Sequence, residues 1–331
     1  MRPSTISKAG PLRWLAVTAI ASAALLASPP AAQVQGYPTQ PVKVIVQQGA
    51  GGSIDVIARI MAEHISPAIG QQMVVINQPG AGGLVAARAL AASPPDGYTL
   101  FLAASSVFVS LSEINKNLNF NIDDFVPIGF VGEQPFIIAT SDKLGAKSLA
   151  DVVALSKQRP EGLNFSAGTR GGLQHMTAEW FRARTGANLT MVHYPSTAAA
   201  LSDVLSGRVP VIVDTLSGLG GAATGAGMTM LGVAAQQPLT RHPQVPTIAG
   251  ILPDFNASGW FVLVGPRGTP PAVVEKISEG LRKALADPAL QKKFADLSNE
   301  VRSMSPAELA VFIKAEQEKW RPIVRQVAPQ Q

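Results

Sequence analysis

There is no cysteine in the 331 residues, so neither a disulfide framework nor a lipid anchor on an amino-terminal cysteine is available. Charged residues are scarce, at 15% against 47% hydrophobic, which excludes a disordered chain and calls for a buried core. Several enzyme signatures are also missing. No G-x-x-x-x-G-K-[ST] phosphate loop occurs, and no serine stands in a G-x-S-x-G elbow. The dinucleotide fingerprint fails because Ile54 takes its third glycine position and Asn77, not an acid, ends the next strand. Basic residues form no stripe interleaved with aromatics, which removes nucleic acid as a partner.

What is present begins with an export signal over residues 1–35. Arg2, Lys8 and Arg13 make a positive start, Trp14 to Leu26 is apolar, and small residues with prolines follow from Ala27 to Ala32. The apolar run falls short of the roughly 20 residues that span a bilayer, so a cleaved signal is expected, cut near Ala32 to Gly36. The protein is then periplasmic, with no lipid anchor. Of the formal +5, three charges sit on those basic residues, which leaves the mature chain near +2 and gives its charge little weight.

The rest is long enough for two domains. Val42 to Val46 reads as a buried strand, Gly49 to Gly52 as a tight turn, and Ser53 as the start of a helix with an apolar face at Val56, Ile57, Ile60, Met61, Ile65 and Ile69. Strand Met73 to Ile76, a second glycine turn at 77–83, helix Leu84 to Ala92 and strand Tyr98 to Ala103 follow. This alternation predicts parallel pairing in an α/β sheet. Ser105 to Pro127 reads as irregular, and Pro135 to Thr140 as an apolar strand. Beyond it come helix Ser148 to Gln158, a strand ending at Asn164 to Ser166, and a third glycine turn, Ala167 to Gly172. That turn opens helix Leu173 to Thr185. Strand Leu189 to Tyr194, helix Thr197 to Ser206 and strand Val209 to Asp214 complete a second block. Gly218 to Gly227 is left open between helix and loop. Strands Met230 to Ala235 and Trp260 to Val264 precede helices at Pro270 to Ala286, Pro288 to Ser298 and Pro306 to Val327.

A glycine turn that ends on a helix start aims free N–H groups and the positive end of the helix dipole at one point, and the natural guest is an anion. The candidate ligand-binding residues are therefore Gln48, Gly49, Ala50, Gly51, Gly52 and Ser53 from one block, and Gly168, Thr169, Arg170, Gly171 and Gly172 from the other. Ser105 and Ser106 add hydroxyls. Asp214, a lone acid at a strand end, either meets a ligand or caps a helix. Of the four histidines, His175 pairs with Glu179 at i, i+4 but has no further ligands to complete a metal site. The expected reading is that His175 bonds a neighbouring loop. No catalytic residue, cofactor or metal is expected.

Several runs together carry a resemblance: Pro41-Val-Lys-Val-Ile-Val, Gly49-Ala-Gly-Gly-Ser-Ile-Asp, Asn77-Gln-Pro-Gly-Ala-Gly-Gly, Pro95-Asp-Gly-Tyr-Thr-Leu, Val192-His-Tyr-Pro, Pro243-Gln-Val-Pro-Thr-Ile and Lys319-Trp320. From about Tyr37 onward the chain resembles the Bug extracytoplasmic solute receptors of tripartite tricarboxylate transporters. The resemblance implies a two-domain type II periplasmic binding protein fold with a ligand cleft between domains. It also implies a small carboxylate ligand, a membrane permease of one large and one small subunit, and a monomer. It places the first domain at 36–138 and 236–331, the second at 139–235, and hinges at Pro135 to Thr140 and near Ala234 to Val264. Carried over by position, it adds the Tyr194 to Thr197 turn, with Tyr194 and Ser196, to the site. Three departures fall at the ligand. Gln47-Gln48 replaces Pro-Phe, Gly171-Gly172 lacks a hydroxyl, and Tyr194-Pro195-Ser196 replaces Tyr-Lys-Gly. A secreted enzyme using His175 or Asp214, or a sensor docking on a receptor kinase, are the rival readings.

Overall fold

In the computed structural model, which describes residues 36–115, 118–194, 196–239 and 241–327, Val42–Val46 forms strand β1, buried except at Lys43. The export signal read over 1–35 lies outside the described residues. Helix α1 (Ser53–Ile69) buries Ile54, Ile57, Met61, Ile65 and Ile69 on one face and stops at Gly70, whose φ of 82° is the left-handed conformation that glycine adopts without strain. Strand β2 (Met73–Asn77), helix α2 (Leu84–Ala91) and strand β3 (Thr99–Ala104) follow. β1 pairs in parallel with both β2 and β3, as the alternation predicts. The stretch read as irregular holds two short helices, α3 (Ser105–Val109) and α4 (Leu111–Ile114). Their apolar residues Val107, Phe108, Val109 and Leu111 are buried, a signal too short to show helical periodicity.

Strand β4 runs from Val126 to Ser141, well beyond the six residues read from the sequence. Two register shifts, at Pro127/Gly129 and Phe130/Gly132, bend it. Gly129 is required there, since a Cβ would lie 2.4 Å from Leu281 Cδ2. The second block then builds helix α5 (Leu149–Gln158), started by a Ser148/Asp151 capping box, strand β5 (Leu163–Ser166), helix α6 (Leu173–Thr185) and strand β6 (Leu189–Val192). Helix α7 (Thr197–Ser206), strand β7 (Val211–Thr215), helix α8 (Leu216–Leu219) and strand β8 (Met228–Val233) complete it. The open segment 218–227 resolves into the end of α8 and one turn of 3₁₀ helix over Gly220–Ala223. Strand β9 (Ser258–Gly265) and helices α9 (Pro271–Leu285), α10 (Pro288–Asp296) and α11 (Pro306–Val327) close the chain.

The strand order is β2-β1-β3-β9-β4-β7-β5-β6, with β8 beside β4. Parallel strands fill both ends of this order, and the antiparallel pair β9 and β4 stands between them. β4 gives its first part to β9 and its last part to β7 and β8, so one strand belongs to both halves of the sheet. A second crossing lies beside it, where the Ala234 N–H donates to Phe136 O and the Ala257 N–H to Ala234 O. A third is α11, which packs on α3 and also on α6. Its Trp320 meets Trp180 of α6 with ring centres 5.4 Å apart, and Trp180 stacks on Phe255 at 4.3 Å. The indole N–H groups of Trp260 and Trp320 both donate to Glu316 Oε2 at 3.1 Å, which lets two large rings be buried without an unpaired donor.

Candidate functional site

Strand register places the two glycine turns. β3 ends at Ala104, which pairs with Phe261 of β9, and Phe261 pairs in turn with Gly132 of β4. β7 reaches Asp214 and Thr215, which pair with Ile137 and Phe136 of the same strand. The carboxyl ends of the parallel strands in both halves therefore converge on the crossing segment 132–137. The loops that follow those strands hold the sequence-predicted residues, and such loops are where α/β sheets present ligand sites.

In the first half the turn is held from inside. The Gly52 N–H donates to Gly49 O at 3.2 Å, and the Gly51 N–H to Asp55 Oδ2 at 2.9 Å. Asp55 is buried and also accepts from Arg59 Nε at 3.0 Å and Asn77 Nδ2 at 2.8 Å. Its hydrogen bond to Arg59, aided by Gly51 and Asn77, holds the carboxyl down to about 2 against the opposing effect of burial. Gln48 reaches back over Gly52, its Oε1 accepting from the Ile54 N–H at 3.1 Å, while Asn77 Nδ2 donates to its carbonyl at 2.9 Å. Gln47 takes the neighbouring position. Its Oε1 accepts from the Ala104 N–H at 3.1 Å and its Nε2 donates to Ser106 Oγ at 3.3 Å.

The second half repeats the backbone. Gly51 and Gly171 have φ of 81° and 80°. Gly52 and Gly172, each at a helix N-cap, have φ, ψ of −71°, 160° and −73°, 165°. The Gly172 N–H donates to Thr169 O at 3.0 Å, as Gly52 does to Gly49. Where Asp55 accepts from Gly51, His175 Nδ1 accepts from the Gly171 N–H at 3.1 Å. An imidazole that accepts at Nδ1 carries its proton on Nε2, which here lies 3.6 Å from Glu179 Oε1. Glu179 is also engaged by Arg182 at 2.6 Å. His175 is thus the loop-bonding residue expected from the sequence. Among the described residues no group of three or more His, Asp or Glu is placed to hold a metal.

The remaining candidates divide. Thr169 and Arg170 are exposed on the second turn, and Arg170 has no ion-pair partner among the described residues. Gly171 packs against the first half, where a Cβ would stand 2.8 Å from Ile114 Cδ1. Ser105 is buried, and Ser106 is taken up by Gln47. The Tyr194 hydroxyl donates to Asp203 at 2.6 Å; burial and that carboxylate push it up to about 12. Ser196 caps α7 by accepting from the Ala199 N–H at 3.3 Å. Asp214 is buried beneath the turns, where it accepts from the Thr197 hydroxyl and from the Thr215 N–H at 2.7 Å. Burial pushes its carboxyl upward. Its contacts lie at the starts of α7 and α8. Sequence reasoning missed Asp55 and Asn77. The spacing from Gly51 to Asp55 and from Gly171 to His175 is four residues in both turns, and that repeat was the available signal.

A cavity of about 840 Å³ lies elsewhere, lined by Glu133, Pro135, Ser258, Asn299 and Glu316 among others and by none of the glycine-turn residues. Its strand residues are those of the crossing, so it is not the site assembled above. No described helix is long and apolar enough to cross a membrane.

Residues 57–328 match the model of the tripartite tricarboxylate transporter family receptor. The chain is 33% identical to Protein BugT of Bordetella pertussis over 95% of its own length and 97% of that protein's. Among solved structures, R. palustris Rpa4515 with adipate aligns at a TM-score of 0.80 and 26% identity, covering 88% of this chain and 98% of that one. MatC from Rhodopseudomonas palustris with bound malate aligns at 0.76 and 26%, covering 87% and 100%. The periplasmic binding protein BugD aligns at 0.76 and 27%, covering 88% and 98%. The mixed α/β architecture is that of these periplasmic binding proteins, and the chain belongs to the tripartite tricarboxylate transporter receptor family.

Proposed function

We propose that the protein is a periplasmic solute receptor that binds a small carboxylate between its two halves and delivers it to a membrane permease of the tripartite type. The observation that carries this reading is the repeated turn. Two loops that end on the same pair of glycine conformations, on separate parallel strand sets, converge on a shared crossing segment. A ligand that touches both stabilises the closed arrangement by its differential affinity for it. The domains would be 36–138 with 236–331, and 139–235, hinged at β4 and at the Ala234 and Ala257 crossing. The protein works as an exported monomer without lipid anchor and performs no chemistry on its guest. The site consists of Gln48 to Ser53, Ser105 and Ser106, with Gly168 to Gly172, Tyr194, Ser196 and Asp214 supporting it from the second half. Adipate and malate in similar structures support a carboxylated guest. Mass spectrometry of what co-purifies with the native protein, followed by calorimetric titration of the compound found, tests the reading. A carboxylate that binds in a single saturable step is expected. No heat from any member of a carboxylate panel, with folded and ligand-free protein, would overturn it.

A further inference from the structure

The two ends of the site treat negative charge differently. At the first end the helix start already holds an anion, Asp55, whose charge is matched by Arg59 at 2.9 Å. Two neutral amides then occupy donors that a ligand oxygen would otherwise use. Gln48 Oε1 takes the Ile54 N–H, and Gln47 Oε1 takes the Ala104 N–H. Both amides are packed in place. A Cβ on Gly52 would lie 2.7 Å from Gln48 Oε1, and one on Gly83 would lie 2.9 Å from Gln47 Nε2. At the second end the residue equivalent to Asp55 is His175, uncharged while Nδ1 accepts from Gly171. The N–H groups of Leu173 and Gln174 both lack an intramolecular acceptor among the described residues, whereas of the equivalent pair at the first end Ser53 alone does, and Arg170 is exposed without an ion-pair partner.

Resting on the carboxylate-receptor reading, we infer that Gln47 and Gln48 determine specificity by making the first end neutral, so that the guest is a monocarboxylate with an uncharged polar far end. Its carboxylate lies at Arg170 and the α6 start. Its far end meets the amide of Gln48, whose Nε2 has no partner among the described residues and offers a donor to a hydroxyl or carbonyl oxygen. A second carboxylate at that end would stand near Asp55 with the Ile54 donor already engaged. It would lose its hydration without an equal return.

The test is calorimetric titration of matched pairs, ω-hydroxy acids against dicarboxylic acids of three to eight carbons, with ligand-free protein. The best hydroxy acid is expected to bind about tenfold tighter than the dicarboxylate of its length. The Q47A/Q48A double variant, shown folded by near-ultraviolet circular dichroism, should narrow that gap. Arg170→Ala, an exposed change, should weaken both members of each pair about tenfold. A wild-type preference for the dicarboxylate, or a gap unmoved in Q47A/Q48A, overturns the inference and leaves the carboxylate reading standing. Absence of binding to every member overturns both.

Discussion

The i+4 acceptor that closes the glycine turn is Asp55 in the first half of the molecule and His175 in the second. The backbone does not register the difference, since the two pairs of glycines agree within 5° in φ and ψ at the helix caps and within 1° in φ one residue earlier. Glycine placement alone sets the loop, because the positive φ is open to glycine at little cost. The fourth residue sets the electrostatics. One turn is closed by a buried carboxylate tied to Arg59 and Asn77, the other by a neutral ring beside Glu179.

The largest test of that comparison removes each acceptor. Asp55→Ala removes the acceptor of the Gly51 N–H, of one Asn77 Nδ2 hydrogen and of Arg59 Nε, and three lost hydrogen bonds at about 1 kcal/mol each should lower unfolding free energy by about 3 kcal/mol. His175→Ala removes one neutral bond and should cost about 1 to 2 kcal/mol. Urea denaturation of both variants checks the order. Equal losses would mean that the carboxylate adds nothing beyond the loop bond.

Acid should separate the turns as well. The Asp55 carboxyl is lowered from an ordinary 3.8 to about 2 when folded. A depressed carboxyl contributes stability that is fully present above the ordinary value and is lost as pH falls through 3.8 toward 2. The amount is on the order of 2 kcal/mol. The urea midpoint of the wild type should therefore drop across that window. Asp55→Asn should be less stable at neutral pH and show a flatter descent, and an unchanged slope would remove Asp55 as the cause.

The α/β alternation, the turns and the long helices were legible because each rests on a local pattern: β-branched runs, glycine clusters and the apolar stripe of α9. The length of β4 was not legible. Only contact with Leu281 and Asn299 shows why Gly129 and Gly132 sit within it. α3 and α4 were missed because one turn of helix carries no period. At the site, the loops could be named from sequence but the engagement of their donors could not. Whether Ser106, Tyr194 or Asp214 faces a ligand depends on Gln47, Asp203 and Thr197, partners that lie 9 to 59 residues away.

A smaller effect probes how the turns meet their surroundings. Gly51→Ala and Gly171→Ala both force an L residue to positive φ, at about 1 to 2 kcal/mol. Only Gly171→Ala also drives a Cβ to 2.8 Å from Ile114 Cδ1, while the Gly51 position is open. The second variant should be the less stable by about 1 kcal/mol, and Ile114→Ala should recover that difference in a double-mutant cycle. Equal costs would mean that Ile114 yields freely and that the contact between halves at this point is slack.

The smallest effect on folding belongs to Gln48→Ala. Its Oε1 bonds an N–H at the start of α1, in a half-buried turn that water reaches, so solvent can replace the lost acceptor. The expected loss is about 0.5 kcal/mol, at the low end for removal of a helix-cap acceptor, and a denaturation curve nearly superposed on the wild type's would show it. Asp55 and Gln48 lie on the same turn and accept from N–H groups three residues apart, yet their predicted costs differ about sixfold. The number of bonds and burial account for the difference. The carboxylate is sealed beneath the loop and holds it together, whereas the Gln48 residue is only half-buried. A cost near that of Asp55→Ala would place Gln48 among the residues that build the turn, and its amide would then be a brace for the fold before it was a contact for a ligand.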